Sequence, residues 1–210
     1  MIGRRTLDHI VYAVADLDSA CTQFKELLGV APVFGGYHQT QGTKNALVGL
    51  GQGQYLELIA IDETNKQISP PRWMGIDLLS KAQITRGAAK SDNLDHDVSV
   101  LREANPDMGN QSGGSRKSAD GTLLSWELLL PLASPEVEII PFMIDWSTAE
   151  SHPSKQLSAE CKLIDLCATH PNPSVIQPVL KALDITIDVQ KSDNISIKAK
   201  ISCPNGIVEI

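Results

Sequence analysis

The chain carries a strand–helix–strand unit twice, and a repeated unit constrains architecture more than any local propensity does. Leu7-Asp8-His9-Ile10-Val11-Tyr12-Ala13-Val14 reads as a short, well-covered strand. A helix pattern follows, and a later strand holds Tyr55-Leu56-Glu57-Leu58-Ile59. About 70 residues on, Ser125-Trp126-Glu127-Leu128-Leu129 echoes that later strand. Two similar sheet units facing each other would enclose one cleft. His9, Glu57 and Glu127 are the first candidates for its polar floor.

The units can be followed along the chain. Asp16-Leu17-Asp18-Ser19-Ala20 opens a helix, because an aspartate there accepts the orphan amide hydrogens of the first turn. Leu17, Ala20, Cys21, Phe24 and Leu27-Leu28 recur at helical spacing, and Gly29 ends the run. Residues 32–37 form a second strand. Residues 46–50 and 54–61 make a hairpin about Gly51-Gln52-Gly53. A connection over 62–80 carries Pro70-Pro71 and Arg72-Trp73-Met74. The second unit starts with a strand over 84–89 and a helix capped within Asp92-Asn93-Leu94-Asp95. It continues to a hairpin turn at Asp120-Gly121 and a strand over 122–130. A weaker third echo has a strand at 162–169, a helix at 173–183 with Pro178 as a defect, and short strands at 185–189, 195–201 and 207–210.

Composition narrows the function classes. With 210 residues, 42% of them hydrophobic, the chain can bury a sizeable core. Its formal net charge is -7, and Arg4-Arg5 and Arg116-Lys117 are its only adjacent basic pairs. Nucleic-acid binders carry a basic stripe, so that class is excluded here. No apolar run is long enough to span a bilayer, and no apolar signal segment follows the N-terminus, so the expected location is cytoplasmic. Cys21, Cys161, Cys167 and Cys203 lack metal-site spacing and read as free thiols. No nucleophile elbow, phosphate-cradling loop or dinucleotide fingerprint is present.

The His9 strand, the Asp16-Leu17-Asp18 helix start and the Tyr55-Leu56-Glu57-Leu58 strand, in that order, resemble the vicinal oxygen chelate superfamily. Asn93-Leu94-Asp95 and Asp120-Gly121 followed by Trp126-Glu127 extend the resemblance into the second unit. More closely, the chain is similar to glyoxalase-like domain proteins of that superfamily, well over residues 5–145 and less well beyond. The resemblance implies an α+β fold of paired βαβββ modules in a curved mixed sheet around a cleft. It places the paired modules in residues 1–145, and residues 146–210 as an extension resembling a partial third module packed on the same domain.

The resemblance also implies a divalent metal (Zn, Fe, Mn, Ni or Mg), held by His9, Glu57 and Glu127. Glu57 and Glu127 would be the catalytic candidates, one of them acting as base when substrate or water displaces it from the metal, in lyase, isomerase or dioxygenase chemistry on a small oxygenated or anionic metabolite. The fourth ligand position departs from the pattern. One alignment puts Ile84 there, another Arg86, and neither is a metal ligand. An inward Arg86 would repel a cation and suit a carboxylate or phosphate. The alternative is therefore a metal-free binding or sequestration protein of the bleomycin-resistance type, its ligand held by Arg86, Trp73 and Phe142. A homodimer is compatible with both.

Single residues keep their plainer readings too. His38 and His96 read as loop and helix-surface residues. Trp126 must point away from Glu127 by strand alternation and reads as helix-facing core. His152 reads as a loop residue near the Phe142 segment.

Overall fold

The computed structural model describes residues 5–117, 123–149 and 151–210; the turn expected at Asp120-Gly121 lies outside them. The first module runs β1 (Leu7–Ala13), α1 (Leu17–Leu28), β2 (Val33–His38), β3 (Thr43–Gly49) and β4 (Tyr55–Ile61). The second runs β5 (Gln83–Lys90), α2 (Leu94–Ala104), β6 (Gln111–Lys117), β7 (Leu123–Leu129) and β8 (Phe142–Asp145). The eight strands form one mixed sheet in the order β2-β3-β4-β1-β5-β8-β7-β6. β1 is parallel to β4 and β5 is parallel to β8, while β1 and β5 are antiparallel neighbours at the centre. The modules are thus related by a local two-fold between β1 and β5, as paired βαβββ units require.

The helices form where the sequence places them. The Asp16 carboxylate accepts from Ser19 N at 2.8 Å, and α1 buries the stripe Leu17, Ala20, Phe24 and Leu28. Gly29 ends it at φ 76, where an added Cβ would meet Asn205 Oδ1 at 2.8 Å. Only glycine meets both demands. Asn93 caps α2 by accepting from His96 N at 3.1 Å.

One correspondence expected from the sequence is corrected. β8, not β7, lies against β5 as β4 lies against β1. The Glu127 strand is therefore the counterpart of β3, not of the Glu57 strand. A five-residue echo of apolar residues around one carboxylate reports a half-buried strand, and does not report which strand it pairs with.

The chain ends in a second sheet, order β10-β9-β11-β12, from β9 (Lys162–His170), α3 (Pro173–Ala182), β10 (Asp188–Lys191), β11 (Ser196–Cys203) and β12 (Gly206–Glu209). It repeats a module's element order but not its pairing. Here the strand just after the helix, β10, is parallel to the first strand β9. In the modules the parallel partner is the last strand. Pro178 sits inside α3 without ending it.

Two apolar layers flank the large sheet. The outer one joins Ile10, Phe24, Leu56 and Leu101 to Ile176, Leu180, Ile197 and Ile201 of the C-terminal unit. The inner one lines the curl of the sheet with Val11, Ile59, Trp73, Met74, Trp126 and Phe142.

Candidate functional site

The inner face carries one polar corner, and a backbone irregularity creates it. Along β1, Leu7 pairs with Ala89 and His9 with Ala88, so Asp8 is an extra residue in the ladder. Such a bulge re-aims the side chains beside it. Simple alternation would put Asp8 and His9 on opposite faces. Instead the Asp8 carboxylate lies 2.7 Å from His9 Nδ1 and 2.9 Å from His152 Nε2, with no exposed surface. Burial works against ionisation of Asp8, but the hydrogen bonds and charge of His152 and His9 outweigh it and hold the carboxyl well below its usual range. An ionised carboxylate only accepts, so His9 Nδ1 donates. In the neutral ring Nε2 is then the basic nitrogen.

That nitrogen faces Glu57. His9 Nε2 is 3.6 Å from Glu57 Oε2, and His38 Nε2 is 3.9 Å from Oε1. Asn45 Nδ2 donates to Oε1. Glu57 is only 4% exposed. Thr43 Oγ1 sits 3.0 Å from His38 Nδ1 and accepts from Trp73 Nε1 at 3.3 Å, which fixes both rings. Tyr55 stacks on His9 with ring centroids 4.6 Å apart, and Phe142 meets His9 edge-on at 5.5 Å. Trp73, Met74, Trp126, Leu128, Ile144 and Trp146 complete the wall of a cavity of ≈ 30 Å³. That is room for about two waters.

The structure brings His9, Glu57, Trp73 and Phe142 to one cavity. It places the other two candidates elsewhere. Glu127 lies on the opposite face of β7 from Trp126, across from Gly113 and Asp145. Alternation separates Glu127 from Trp126 as expected, but Trp126 takes the cleft face, not the helix-facing core. Arg86 does point inward, opposite Val11, and is 1% exposed. Its two terminal nitrogens are spent on backbone carbonyls, Thr85 at 2.6 Å, Glu136 at 3.0 Å, Leu132 at 3.1 Å and Pro135 at 2.6 Å, while Nε is buried without a partner. Burial lowers its pKa to about 10, with Glu138 opposing, so it stays a cation. It clamps the 132–136 segment and has no fork left for a ligand. Sequence reasoning missed Asp8, His38 and Asn45. Only Asn45, two residues from Thr43 on an alternating strand, left a usable signal.

The donor set departs from what a divalent ion would need. His9 is eight residues before the start of α1, and Arg86 is eight before the start of α2. Ala88 pairs with Phe142, so Phe142 occupies the place that Glu57 holds in the first module. A guanidinium and a phenyl ring thus stand where a symmetric site would have two more ligands. His9 and His38 flank different oxygens of Glu57. Among the described residues no group of three or more His, Cys, Asp or Glu is arranged to hold a metal. The residues present do not fit such an ion.

A family model described as a glyoxalase-like domain matches residues 7–183. No curated protein sequence matches the chain. A solved hypothetical protein from Staphylococcus aureus is similar over 97% of this chain and 84% of its own, at 17% identity and a TM-score of 0.63. Methylmalonyl-CoA epimerase from Mycobacterium tuberculosis is similar over 69% of this chain and 91% of its own, at 22% identity and a TM-score of 0.44. The Staphylococcus likeness shows the same fold. No helix among the described residues is long and apolar enough to cross a membrane.

Proposed function

The chain belongs to the glyoxalase-like domain family, and on that premise we propose that His9 and Glu57 form a proton-transfer pair acting on a small oxygenated metabolite. The observation that carries this reading is the Asp8–His9–Glu57 alignment. A buried carboxylate orients an imidazole, and the imidazole turns its basic nitrogen toward a second carboxylate held by an amide. General acid–base catalysis needs such groups poised around one reacting position. One of the pair takes a proton from the carbon beside a carbonyl and passes it to the other, which returns it to the neighbouring carbon as the substrate's hydroxyl proton moves to the former carbonyl oxygen. That is isomerase chemistry, and lyase chemistry follows when a leaving group sits next to the carbanion.

The metal-dependent version, with Zn, Fe, Mn, Ni or Mg on His9, Glu57 and Glu127, is the weaker reading because Glu127 faces away. Two modules in one chain complete the cleft, so a homodimer is not needed for it. A cytoplasmic location remains part of the proposal.

The test is solvent exchange. Hydroxyacetone, a small neutral hydroxy-ketone, is incubated with the protein in heavy water, and loss of its carbon-bound proton signals is followed by NMR. Exchange is expected without added metal. It should fall by about 10²–10⁴-fold in both Glu57→Gln and His9→Gln. Exchange that needs one equivalent of a divalent ion would overturn the metal-free form. Exchange indifferent to Glu57→Gln would overturn the pair. A second reading rests on the aromatic wall of Trp73, Phe142 and Trp146: the protein binds a ligand without transforming it. Ligand-induced quenching of tryptophan fluorescence without any exchange favours that reading.

A further inference from the structure

A cavity of ≈ 30 Å³ is too small for a metabolite of several heavy atoms, so the route into it matters. Beside it lies an open groove of ≈ 700 Å³ between the end of β2 and the middle of β6–β7, lined by Tyr37, Gln39, Thr40, Ser115, Ser125 and Glu127 among others. A third hollow of ≈ 20 Å³ lies between them. It shares His38, Trp73 and Leu128 with the buried cavity, and Thr40 and Gly113–Ser115 with the groove. Among the described residues, Trp126 alone lines all three.

The seat of its indole is specific. Gly114 pairs with Trp126 across β6 and β7. A Cβ at Gly114 would lie 2.4 Å from Trp126 Nε1 and 2.5 Å from Cε2. The ring therefore lies flat on a backbone that only glycine leaves open. Trp126 Nε1 is buried with no hydrogen-bond partner. Trp73, across the cavity, is tethered through Nε1 to Thr43. Packing alone holds Trp126, so moving it breaks no hydrogen bond.

We propose that Trp126 is the specificity-determining partition between the groove and the His9–Glu57 cavity. A ligand presents a compact oxygenated end to Glu57 only where this indole gives way, and its remainder lies along the groove. There, hydroxyl and amide groups of Tyr37, Gln39, Thr40, Ser115 and Ser125 meet a polar, hydrogen-bonding segment. The ligand-class part of the inference rests on His9–Glu57 being the reacting site. The access part does not.

The experiment uses the full chain and diethyl pyrocarbonate, a small electrophile that acylates histidine. The rate at His9 is read by peptide mass spectrometry, with the exposed His96 as internal reference. His9 is expected to react slowly in the native chain. It should react roughly tenfold faster in Trp126→Ala, and also in Gly114→Ala, which keeps the indole but takes its seat. Ile164→Ala, at an exposed position on the C-terminal sheet, should leave the rate near native. An unchanged rate in both Trp126→Ala and Gly114→Ala overturns the proposal, as does an equal rise in Ile164→Ala. If Trp126→Ala loosens the whole fold, every histidine speeds up together, and Gly114→Ala decides. The reading needs no turnover, so a failure of hydroxyacetone exchange leaves it intact. Faster exchange of longer hydroxy-ketones in Gly114→Ala, with hydroxyacetone exchange kept, is the result expected for ligand selection.

Discussion

Arg86→Met is expected to lower the melting temperature by about 6–20 °C. Methionine keeps most of the side-chain volume but removes every donor. The carbonyls of Thr85, Leu132, Pro135 and Glu136 then lose their buried cation together. Breaking a buried, hydrogen-bonded charge arrangement from one side costs about 3–5 kcal/mol. In a chain of this length each kcal/mol moves the midpoint by about 2–4 °C. Arg86→Lys should recover only part of the loss, because one ammonium cannot reach four carbonyls with a planar fork. Thermal unfolding followed by circular dichroism checks both. A ligand-binding arginine would behave differently, losing ligand affinity with an unchanged midpoint. A shift of less than about 2 °C would therefore end the clamp assignment.

Arg86 also marks where the sequence stopped being informative. Its place on the strand was only half legible, because one alignment put Ile84 at that position and another, through Asn93-Leu94-Asp95, put Arg86 there. Its partners were not legible, because they lie 46 to 50 residues away in a segment without a periodic pattern. The helix ends were legible for the opposite reason. Asp16, Gly29 and Asn93 act on atoms three or four residues away, and such chemistry is written locally. The paired modules were legible as a repeat, but the identity of the second module's last strand was not. β8 has four residues and no carboxylate facing the cleft, while β7 has the louder motif. His38 looked like a loop residue because the second strand was expected to end at residue 37, whereas β2 runs through His38. Asp8 was hidden by the rule that finds most strand residues. Alternation puts it opposite His9, and only the bulge brings the two together.

Asp8→Asn is the change expected to do most to the site. Asparagine is nearly isosteric, but its amide offers a donor where the carboxylate offered only lone pairs. If that donor turns to His9 Nδ1, the imidazole proton moves to Nε2, and the ring meets Glu57 with a proton instead of a lone pair. Hydroxyacetone exchange should fall by about 10²–10⁴-fold with the fold retained. Nitrogen NMR of the His9 ring should report the change of tautomer. Stability supplies an independent reading. The Asp8 carboxyl is held below its usual range in the folded chain, so its contribution is fully present above the unfolded value of about 3.9. That contribution is lost as pH falls from there toward the folded value. The gap in melting temperature between the native chain and Asp8→Asn should therefore be full at neutral pH and narrow as the pH is lowered below about 4. A gap independent of pH would mean that Asp8 contributes by shape alone. The tautomer argument for His9 would then lose its anchor, since an uncharged Asp8 could donate as readily as accept.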